Sequence, residues 1–484
     1  MRSRIDRGVY FAFAGLLTAL LQAQLALGAQ ANGAPKYIFL FLADGAGVPH
    51  MEIARQYNRV VHNEGLTISD KIIKQGSLGL MTTHAADSLS TDSAAAATAL
   101  AGGCKANIGA LGVCADGSPA VSAMEIARQK GMRLGLITNS TIYDASPAAF
   151  VCHVPSRRDY AAILNRYLDL EPHLLLGGGR DQFIPKSRGG RRGDEVDMIA
   201  EFTRKGYTHV SDKAGLEQAK RSKVLGLFSN GDMSFEIDRD PKKEPSVYDM
   251  TRAAIRLLHD DNPNGFFAFI ESENTDTASH LTDIAAMVRD YREFDRAVGL
   301  AFEFYQKYPK ETLIIVTSDH ETGGLGLTLG LKDLSSTRGS NQVAGTFDDL
   351  KKIASIPISL RRAAEILGPK PTSEAIDQLM QYHFKGFVLA PDIKEALLAR
   401  KPLSRTVFLD PTTTALGMMV ANNTQVYWQT TAHTNHPVFV AAIGPGSERF
   451  KGYYDNADFG KRLKELVGGV KAAQPPLVSV PKQH

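Results

Sequence analysis

A serine at the expected start of a small-residue helix is the first feature of this sequence that could carry chemistry. Thr91-Asp92-Ser93 precedes an alanine-rich run, a pattern typical of a helix N-terminus with a side chain available to cap it. Free backbone N–H groups and the helix dipole favour an anion at such a position. The Ser93 hydroxyl could therefore attack phosphorus while the helix end receives the phosphate oxygens. The same residues would also suit a plain packing helix with Ser93 at its cap.

A serine hydroxyl needs activation before it can act as a nucleophile. The segment lacks the Gly-x-Ser-x-Gly pattern that places the serine of triad hydrolases, which favours a metal ion as the activator. Asp276 and His280 are four residues apart, so on a helix they share one face and could bind one ion. Taken alone, this pair could equally belong to a solvated helix face.

Further residues with metal-binding side chains lie far apart in the sequence. Asp319-His320 and His433 add a carboxylate and two imidazoles, although singly they could be a turn and a satisfied loop histidine. Mixed oxygen and nitrogen ligands suit zinc. The group formed by Asp44, Ser146 and Glu271 offers only oxygen atoms, which suits magnesium.

Most of these residues follow or end apolar runs that predict strands buried on both faces of a sheet. The predicted strands are 37–42, 134–138, 266–270, 312–317 and 437–443, and helix-patterned segments cover 121–130, 250–259, 281–308 and 373–382. This alternation predicts an α/β fold, a three-layer α/β/α sandwich with a central, mostly parallel sheet. Ligands bind at the carboxyl ends of strands in such sheets, so the candidate residues are best interpreted together as one site.

The order and content of six separated segments resemble the alkaline phosphatases, from about residue 36 to residue 450. The segments are Asp44-Gly45, Thr91-Asp92-Ser93-Ala94, Asp144-Ala145-Ser146-Pro147-Ala148-Ala149, Glu271 with Asp276 and His280, Asp319-His320-Glu321-Thr322-Gly323-Gly324, and His433-Thr434. The resemblance implies hydrolysis of phosphate monoesters to an alcohol and inorganic phosphate.

The resemblance also implies a role for each matching residue. Ser93 would be the nucleophile that becomes phosphorylated, and its oxygen would contact a metal ion. Arg157 would bind two phosphate oxygens with its guanidinium fork, with Arg158 as the neighbouring candidate for the same role.

Three metal ions are implied in the same way. One zinc would be held by Asp276, His280 and His433; a second zinc by Asp44, Asp319 and His320; and one magnesium by Asp44, Ser146 and Glu271. Thr277 stands where some members of the family carry Lys or His beside the magnesium site, and Glu273 follows Glu271 where glycine is more usual.

The N-terminus predicts export from the cytoplasm. Arg2, Arg4 and Arg7 precede an apolar run over 9–27 and then small residues, the pattern of a secretory signal peptide over 1–31; the run could instead be a membrane anchor. We therefore expect a periplasmic or secreted protein in which 32–484 form one catalytic domain. In an oxidising compartment Cys104 and Cys114 could pair, with Cys152 left as a buried thiol.

The region 332–411 is less periodic and richer in lysine and proline, which indicates an accessory insertion between two parts of one core. Glycine-rich stretches at 177–180 and 189–193 predict loops.

The net charge of +3 gives no electrostatic case for a nucleic-acid or membrane-surface partner. Small phosphate monoesters are the expected partners, and a homodimer would be in keeping with the resemblance. Sulfatase activity is disfavoured because no cysteine stands in a Cys-x-Pro-x-Arg context. Diester hydrolysis could occur as a side reaction. A non-catalytic phosphate-binding role would also use this fold, although no expected ligand residue is missing from the sequence.

Overall fold

The computed structural model describes residues 34–220, 223–331, 342–403 and 410–469. The predicted signal peptide lies outside these residues, as do 332–341 and 404–409 of the predicted insertion. Within the described ranges, no helix has both the length and the apolar character needed to cross a membrane.

One large sheet forms the centre of the protein. The described strands are β1 Tyr37–Ala43, β2 Ser77–Thr82, β3 Arg133–Thr141, β4 Leu174–Gly178, β5 Thr208–Val210, β6 Val224–Leu227, β7 Phe266–Ser272, β8 Thr312–Thr317, β9 Glu321–Thr322, β10 Leu325–Leu327, β11 Leu329–Leu331, β12 Gln342–Ala344, β13 Val426–Trp428, β14 His433–Thr434, β15 Val438–Ile443 and β16 Gly452–Asp455. The ten strands of the large sheet run in the order β16-β2-β15-β8-β1-β7-β3-β4-β6-β5, and only β15 lies antiparallel to its neighbours. Short antiparallel pairs join β9 with β14, β10 with β13 and β11 with β12.

Helices cover both faces of the sheet. They are α1 Val48–His62, α2 Ser93–Gly102, α3 Ala123–Gln129, α4 Ala145–Ala149, α5 Tyr160–Leu170, α6 Met198–Arg204, α7 Lys213–Gln218, α8 Val247–His259, α9 Asn274–His280, α10 Ile284–Lys307, α11 Phe347–Ala354, α12 Leu360–Leu367, α13 Ser373–His383, α14 Pro391–Ala399, α15 Pro411–Thr424 and α16 Asn456–Gly468. A π-helical segment, Ile68–Ile73, and the 3-10 turns Arg180–Phe183, Lys186–Arg188 and Ser447–Phe450 complete the described elements.

The alternation of side chains along β1 shows how the three layers are held together. Phe39 and Phe41 point into the core on one side of the sheet, whereas Leu40 and Leu42 point into the core on the other side. Every residue of β1 is buried, because the strand has neighbours on both edges and helices on both faces. The predicted α/β/α sandwich with a mostly parallel sheet is therefore confirmed.

The five predicted strands and four predicted helices are all present, with boundaries shifted by a few residues. The predicted loop at 177–180 is wrong in part, because Gly177 and Gly178 complete β4. A Cβ atom on Gly178 would lie 2.1 Å from the carbonyl oxygen of Gly231, so the absence of a side chain lets neighbouring backbone approach this strand end.

Helices α11 to α14 make up most of the described part of the accessory region. Their apolar faces bury residues such as Leu350, Leu360 and Ile376 in the same hydrophobic cluster as α10 and one face of the central sheet. The accessory helices thus extend the main core.

Two of the three cysteines are bonded to each other. Cys104 and Cys114 form a disulfide that closes a loop after α2, while Cys152 is a buried free thiol. Burial raises the pKa of the Cys152 thiol, which keeps it neutral and unreactive in the folded protein.

Candidate active site

Ser93 is the first residue of α2, as the sequence predicts. The Asp92 carboxylate caps the helix by accepting a hydrogen bond from the backbone N–H of Ala95 at 3.0 Å. Ser93 is nearly buried, and its hydroxyl oxygen lies 3.3 Å from Nε2 of His320. Ser93 therefore lies at a helix N-terminus and beside the imidazole of His320, which follows β8. Such a position suits an anionic group.

Neighbouring strands bring the candidate ligands to one edge of the sheet. β1 lies between β7 and β8, so Asp44, Glu271 and Asp319 come from adjacent parallel strands. Gly45 follows Asp44 with a φ of +67°, and a Cβ atom there would lie 2.3 Å from Oδ1 of Asp276. Glycine at this turn allows α9 to approach the end of β1.

The first candidate metal-binding group consists of Asp44, Asp319 and His320, all of them buried. One ligand atom from each lies within 4.8 Å of the corresponding atoms of the others. Nε2 of His320 is 3.2 Å from Oδ2 of Asp319 and 3.5 Å from Oδ1 of Asp44. These are the residues that the sequence predicts for the second zinc.

The second group surrounds Asp276. Asp276, His320 and His433 meet the same 4.8 Å limit, and the predicted ligand His280 has its Nε2 3.1 Å from Oδ2 of Asp276. The Nε2 atoms of His280 and His433 are 3.0 Å apart. His320 stacks on His433 with ring centroids 3.7 Å apart, so the two groups are direct neighbours.

Hydrogen bonds to backbone carbonyls orient two of these imidazoles. Nδ1 of His280 donates to the carbonyl of Thr431 at 2.6 Å, and Nδ1 of His433 donates to the carbonyl of Thr91 at 2.8 Å. Because a carbonyl oxygen can only accept, Nδ1 carries the proton in both rings. In the neutral form of each ring the lone pair is then on Nε2, which is the nitrogen that could bind a metal ion.

The third group is built from oxygen atoms. The Ser146 hydroxyl donates to Oδ2 of Asp44 at 3.2 Å, and the Thr138 hydroxyl donates to Oε2 of Glu271 at 2.6 Å. Ser146 lies in α4, whose N-cap is Asp144. Thr138 is a polar neighbour of this group that the sequence did not single out, although it lies near the end of a predicted strand.

The carboxylates of these groups have the character of cation ligands. Asp44 Oδ1, Glu271 Oε1 and Asp319 Oδ2 are buried and accept no hydrogen bond from any residue that the structure describes. Burial, followed by the charges of neighbouring carboxylates, raises the pKa of Asp44 well above its ordinary value. Burial is also the main cause that raises the pKa of Asp319 to about 7 and that of Glu271 to about 8. Buried carboxylates with bare oxygens fit divalent cations.

Asp276 differs from these carboxylates because its pKa is lowered and theirs are raised. Burial favours its neutral form, but His280 and His433 outweigh burial and lower the pKa of Asp276 below its ordinary range. Burial lowers the pKa of His320 and, to a smaller extent, that of His433, which favours the neutral form that binds metals. The donor set of carboxylate and imidazole fits zinc.

Arg157, and not Arg158, faces the site. Its Nη1 donates to Oδ2 of Asp92 at 3.2 Å, and its Nη2 donates to Oδ1 of Asp144 at 3.0 Å. Arg158 is exposed to solvent, whereas Arg157 lines the same cavity as Ser93. The two aspartates hold the planar guanidinium in the cavity that Ser93 also lines, which supports Arg157 over Arg158 as the predicted phosphate-binding arginine.

The site opens into a cavity of about 660 Å³. This volume lies within the range of about 300–1,000 Å³ that is usual for ligand pockets, so it has room for much more than a phosphate group. Several of its lining residues were missed by sequence reasoning because they come from loops and from the accessory region; they include Tyr143, Tyr160, Asp181, Asp232 and Arg361.

Thr277 and Glu273 are joined by a hydrogen bond. The Thr277 hydroxyl donates to Oε1 of Glu273 at 2.6 Å, and both residues line the cavity. Burial, together with the charges of Asp232 and Asp144, raises the pKa of Glu273 well above its ordinary value. The two departures from the family pattern are thus in contact with each other.

The fold and the site, with a buried serine beside two candidate metal-binding groups, are those of a hydrolase. The family model for alkaline phosphatase matches residues 35–468, which is nearly the whole described chain. The chain belongs to the alkaline phosphatase family and is a phosphomonoesterase hydrolase.

Individual relatives agree with this assignment. The chain is 32% identical to alkaline phosphatase 4 of Bacillus subtilis over 440 residues, covering 87% of this chain and 86% of the relative. It is 29% identical to the repressible alkaline phosphatase of Saccharomyces cerevisiae, covering 94% and 85%. Among solved structures, the alkaline phosphatase of Thermus thermophilus has a TM-score of 0.80 at 27% identity, covering 92% of this chain and 93% of that one.

Proposed function

We propose that this chain hydrolyses phosphate monoesters through a phosphoserine intermediate on Ser93, with two zinc ions and one magnesium ion bound beside it. The observation that carries the proposal is the position of the Ser93 hydroxyl at the start of α2, 3.3 Å from His320 Nε2 and in the same cavity as Arg157. The groups Asp276–His280–His433 and Asp44–Asp319–His320 would hold the zinc ions, and Asp44, Ser146 and Glu271 the magnesium ion.

In the first half of the proposed reaction, the Ser93 oxygen loses its proton and attacks phosphorus, the bond from phosphorus to the leaving oxygen breaks, and that oxygen takes up a proton to give the alcohol. The backbone N–H groups at the start of α2 and the guanidinium of Arg157 bind the phosphoryl oxygens. Asp92 and Asp144 keep that guanidinium in one orientation through hydrogen bonds to its two terminal nitrogens. Positioning and charge stabilisation are the main requirements of phosphoryl transfer.

In the second half, water attacks the phosphoserine, which releases inorganic phosphate and restores the Ser93 hydroxyl. When bound, the metal ions would lower the pKa of the serine hydroxyl, stabilise the leaving oxygen and supply an ionised water near neutral pH. The buried carboxylates would hold these ions through their oxygens, and the Nδ1-protonated imidazoles through Nε2.

We further propose that the enzyme works in the periplasm or outside the cell. The basic and apolar N-terminal sequence supports export, and the Cys104–Cys114 disulfide fits an oxidising compartment. In the same proposal, 32–484 form a single catalytic domain with an accessory insertion at 332–411, and a homodimer is the expected form.

The test compares purified wild-type protein with Ser93→Ala, using a chromogenic phosphate monoester before and after chelation. We expect activity that disappears with chelator, returns with zinc and magnesium, and falls by about 10³-fold or more in Ser93→Ala. Ser90→Ala, which removes a nearby hydroxyl, is the matched control and should keep its activity.

Metal binding by Ser93→Ala provides a readout that does not depend on catalysis. Zinc should raise the melting temperature of Ser93→Ala and of wild type, because both keep the carboxylate and imidazole ligands. A folded, fully metallated wild type without phosphatase activity would refute the proposed function. A Ser93→Ala variant as active as wild type would refute the phosphoserine step.

A further inference from the structure

The accessory region contributes one cation to the wall of the active-site cavity. Arg361 lies in the first turn of α12, and its half-buried side chain lines the same cavity as Ser93 and Arg157. α12 is fixed in place because Leu360, Ala363 and Leu367 on its other face are buried in the main core. The position of Arg361 is therefore set by packing that does not involve the metal site.

The arginines that line the cavity differ in their partners. Arg157 is bound by Asp92 and Asp144, and Arg191 pairs with Asp181 at 3.1 Å. The guanidinium of Arg361 makes neither a hydrogen bond nor an ion pair with any residue in the described ranges. Its guanidinium carbon lies over the ring of Phe235, 4.6 Å from the ring centroid, a distance at which a cation is attracted to an aromatic ring.

Asp232 is the acidic neighbour of Arg361 in the cavity, but it is engaged elsewhere. The Ser140 hydroxyl donates to Oδ1 of Asp232 at 3.2 Å. Burial raises the pKa of Asp232, and so does the charge of Asp144, while the positive charge of Arg361 opposes both. Asp232 thus moderates the potential around Arg361 without occupying its N–H donors.

Arg361 also borders a second cavity. A groove of about 590 Å³ shares Asp232 and Arg361 with the active-site cavity, and its other walls include Phe235, Ile237, Pro357 and Ile358. The groove runs between the core segment 232–238 and the accessory segment 357–365. Arg361 thus stands where a leaving group that extends from the active-site cavity would enter the groove.

We propose that Arg361 binds a second anionic group on the leaving alcohol, so that the preferred substrates are phosphate monoesters carrying a further phosphate or carboxylate. This inference rests on the proposed function, because it assumes that the scissile phosphate lies beside Ser93. Arg361 has the features of an anion-binding group: a permanent charge, N–H donors without an acceptor among the described residues, and a planar fork positioned over an aromatic ring. The accessory region then determines substrate preference.

The experiment compares kcat/KM for four alkyl phosphates of equal chain length whose far end carries a hydroxyl, a phosphate, a carboxylate or an ammonium group. We expect wild type to prefer the two anionic esters over the hydroxyl ester and to disfavour the ammonium ester. In Arg361→Gln the ratio of kcat/KM for anionic over hydroxyl ester should fall by about tenfold, the effect of losing one charge-assisted hydrogen bond. The phosphate and carboxylate esters distinguish which anion fits better.

Two further variants separate charge from packing. Arg361→Lys keeps the charge and should retain part of the preference. Arg204→Gln is the matched control, because Arg204 is exposed in α6, pairs with Glu201 at 2.7 Å and lines neither the active-site cavity nor the groove; it should leave the ratio unchanged. Competitive inhibition of wild type by an alkylphosphonate with or without a terminal carboxylate gives an independent measurement, and the carboxylate should lower the inhibition constant by about tenfold.

The outcomes separate this inference from the proposed function. If wild type hydrolyses the hydroxyl ester but shows no preference for the anionic esters, or if Arg361→Gln lowers kcat/KM equally for all four, the role of Arg361 is refuted while the phosphatase activity stands. If metallated wild type hydrolyses none of the four, the proposed function itself fails. A loss of preference in Arg204→Gln as large as in Arg361→Gln would also refute the assignment.

Discussion

Thr434 donates its hydroxyl hydrogen to Oε2 of Glu321 and thereby joins two short strands, β9 and β14. Glu321 begins β9 directly after His320, and Thr434 follows His433 in β14. The two strands also pair through their backbones, with His433 opposite Thr322. A buried carboxylate thus links the segments that carry two of the imidazoles.

We expect Glu321→Gln to weaken zinc binding about 10- to 100-fold, the usual size of an effect on residues that support metal ligands. The carboxylate also accepts hydrogen bonds from the backbone N–H groups of Gly324 at 3.2 Å and Leu325 at 3.3 Å. A glutamine amide has one acceptor oxygen and would turn an NH₂ group toward one of these donors. Zinc affinity, measured by competition with a chromogenic chelator, is the readout.

His436→Gln is the matched control for Glu321. His436 lies 3.5 Å from the same carboxylate oxygen, but its side chain is 52% exposed. Its loss should therefore change zinc affinity by less than about threefold. Equal zinc affinity in Glu321→Gln and wild type would show that the carboxylate does not position the metal site.

Asp283 joins the catalytic core to the accessory region. Its Oδ1 accepts from the backbone N–H of Ala286 at 3.0 Å at the start of α10, and its Oδ2 accepts from the backbone N–H of Leu360 at 2.5 Å at the start of α12. We expect Asp283→Asn to lower the free energy of unfolding by about 1–3 kcal/mol, because the amide cannot accept both hydrogen bonds. Urea unfolding measures the change.

The same variant should also disturb the position of Arg361, the residue that follows Leu360, and so reduce the preference for anionic esters. Thr372→Ala is the control within the accessory region. Thr372 caps α13 by accepting from Ala375 N–H at 3.2 Å, so its loss should cost about 1 kcal/mol without changing substrate preference. Identical preferences in Asp283→Asn and wild type would contradict the coupling.

The sequence predicted the parts of the site that follow long, buried strands. Asp44 and Asp319 follow runs of apolar residues whose parallel arrangement places their carboxyl ends together, and Ser93 follows a helix-capping pattern. The short strands β9 and β14, each of two residues, carry no periodicity that a sequence could reveal. Their pairing depends on side-chain contacts such as that of Thr434 with Glu321.

Contacts between residues that lie far apart in the sequence were also not predicted, because no local pattern indicates them. Thr138 is 133 residues away from its partner Glu271, and alone it is an ordinary strand residue, so Glu271 was predicted and Thr138 was not. Arg361 lies in an amphipathic helix with nothing local to distinguish it from Arg362; only the docking of α12 on the core places one of them in the cavity. Such contacts depend on tertiary packing, which local patterns do not encode.

The Cys104–Cys114 disulfide should stabilise the folded protein. It joins residues separated by 10 positions. The chain-entropy relation for a loop of this size gives about 3 kcal/mol, which the double variant Cys104→Ser/Cys114→Ser should lose in denaturant unfolding. Native wild type should not react with a thiol reagent, because its one free cysteine is buried. Rapid labelling of wild type, or unchanged stability of the double variant, would contradict this prediction.

His173 should make the stability of the protein depend on mildly acidic pH. Its Nδ1 accepts a hydrogen bond from the backbone N–H of Leu134 at 3.3 Å, which requires a neutral ring nitrogen. Burial, followed by the charges of Arg128 and Arg133, lowers the pKa of His173 from 6.5 to about 4. Between these values the unfolded chain takes up a proton that the folded chain does not, so the free energy of unfolding falls as the pH decreases from about 6.5 to about 4, by up to about 3 kcal/mol.

His173→Asn isolates this contribution, because the asparagine oxygen can accept the Leu134 N–H but does not titrate. Urea unfolding at several pH values, for wild type and variant side by side, measures it. The stability of the variant relative to wild type should increase as the pH falls from about 6.5 to about 4, since the variant lacks the group that the unfolded wild type protonates. A difference that stays constant over this interval would mean that His173 titrates alike in the folded and unfolded chains, and that its hydrogen bond to Leu134 does not hold the ring neutral.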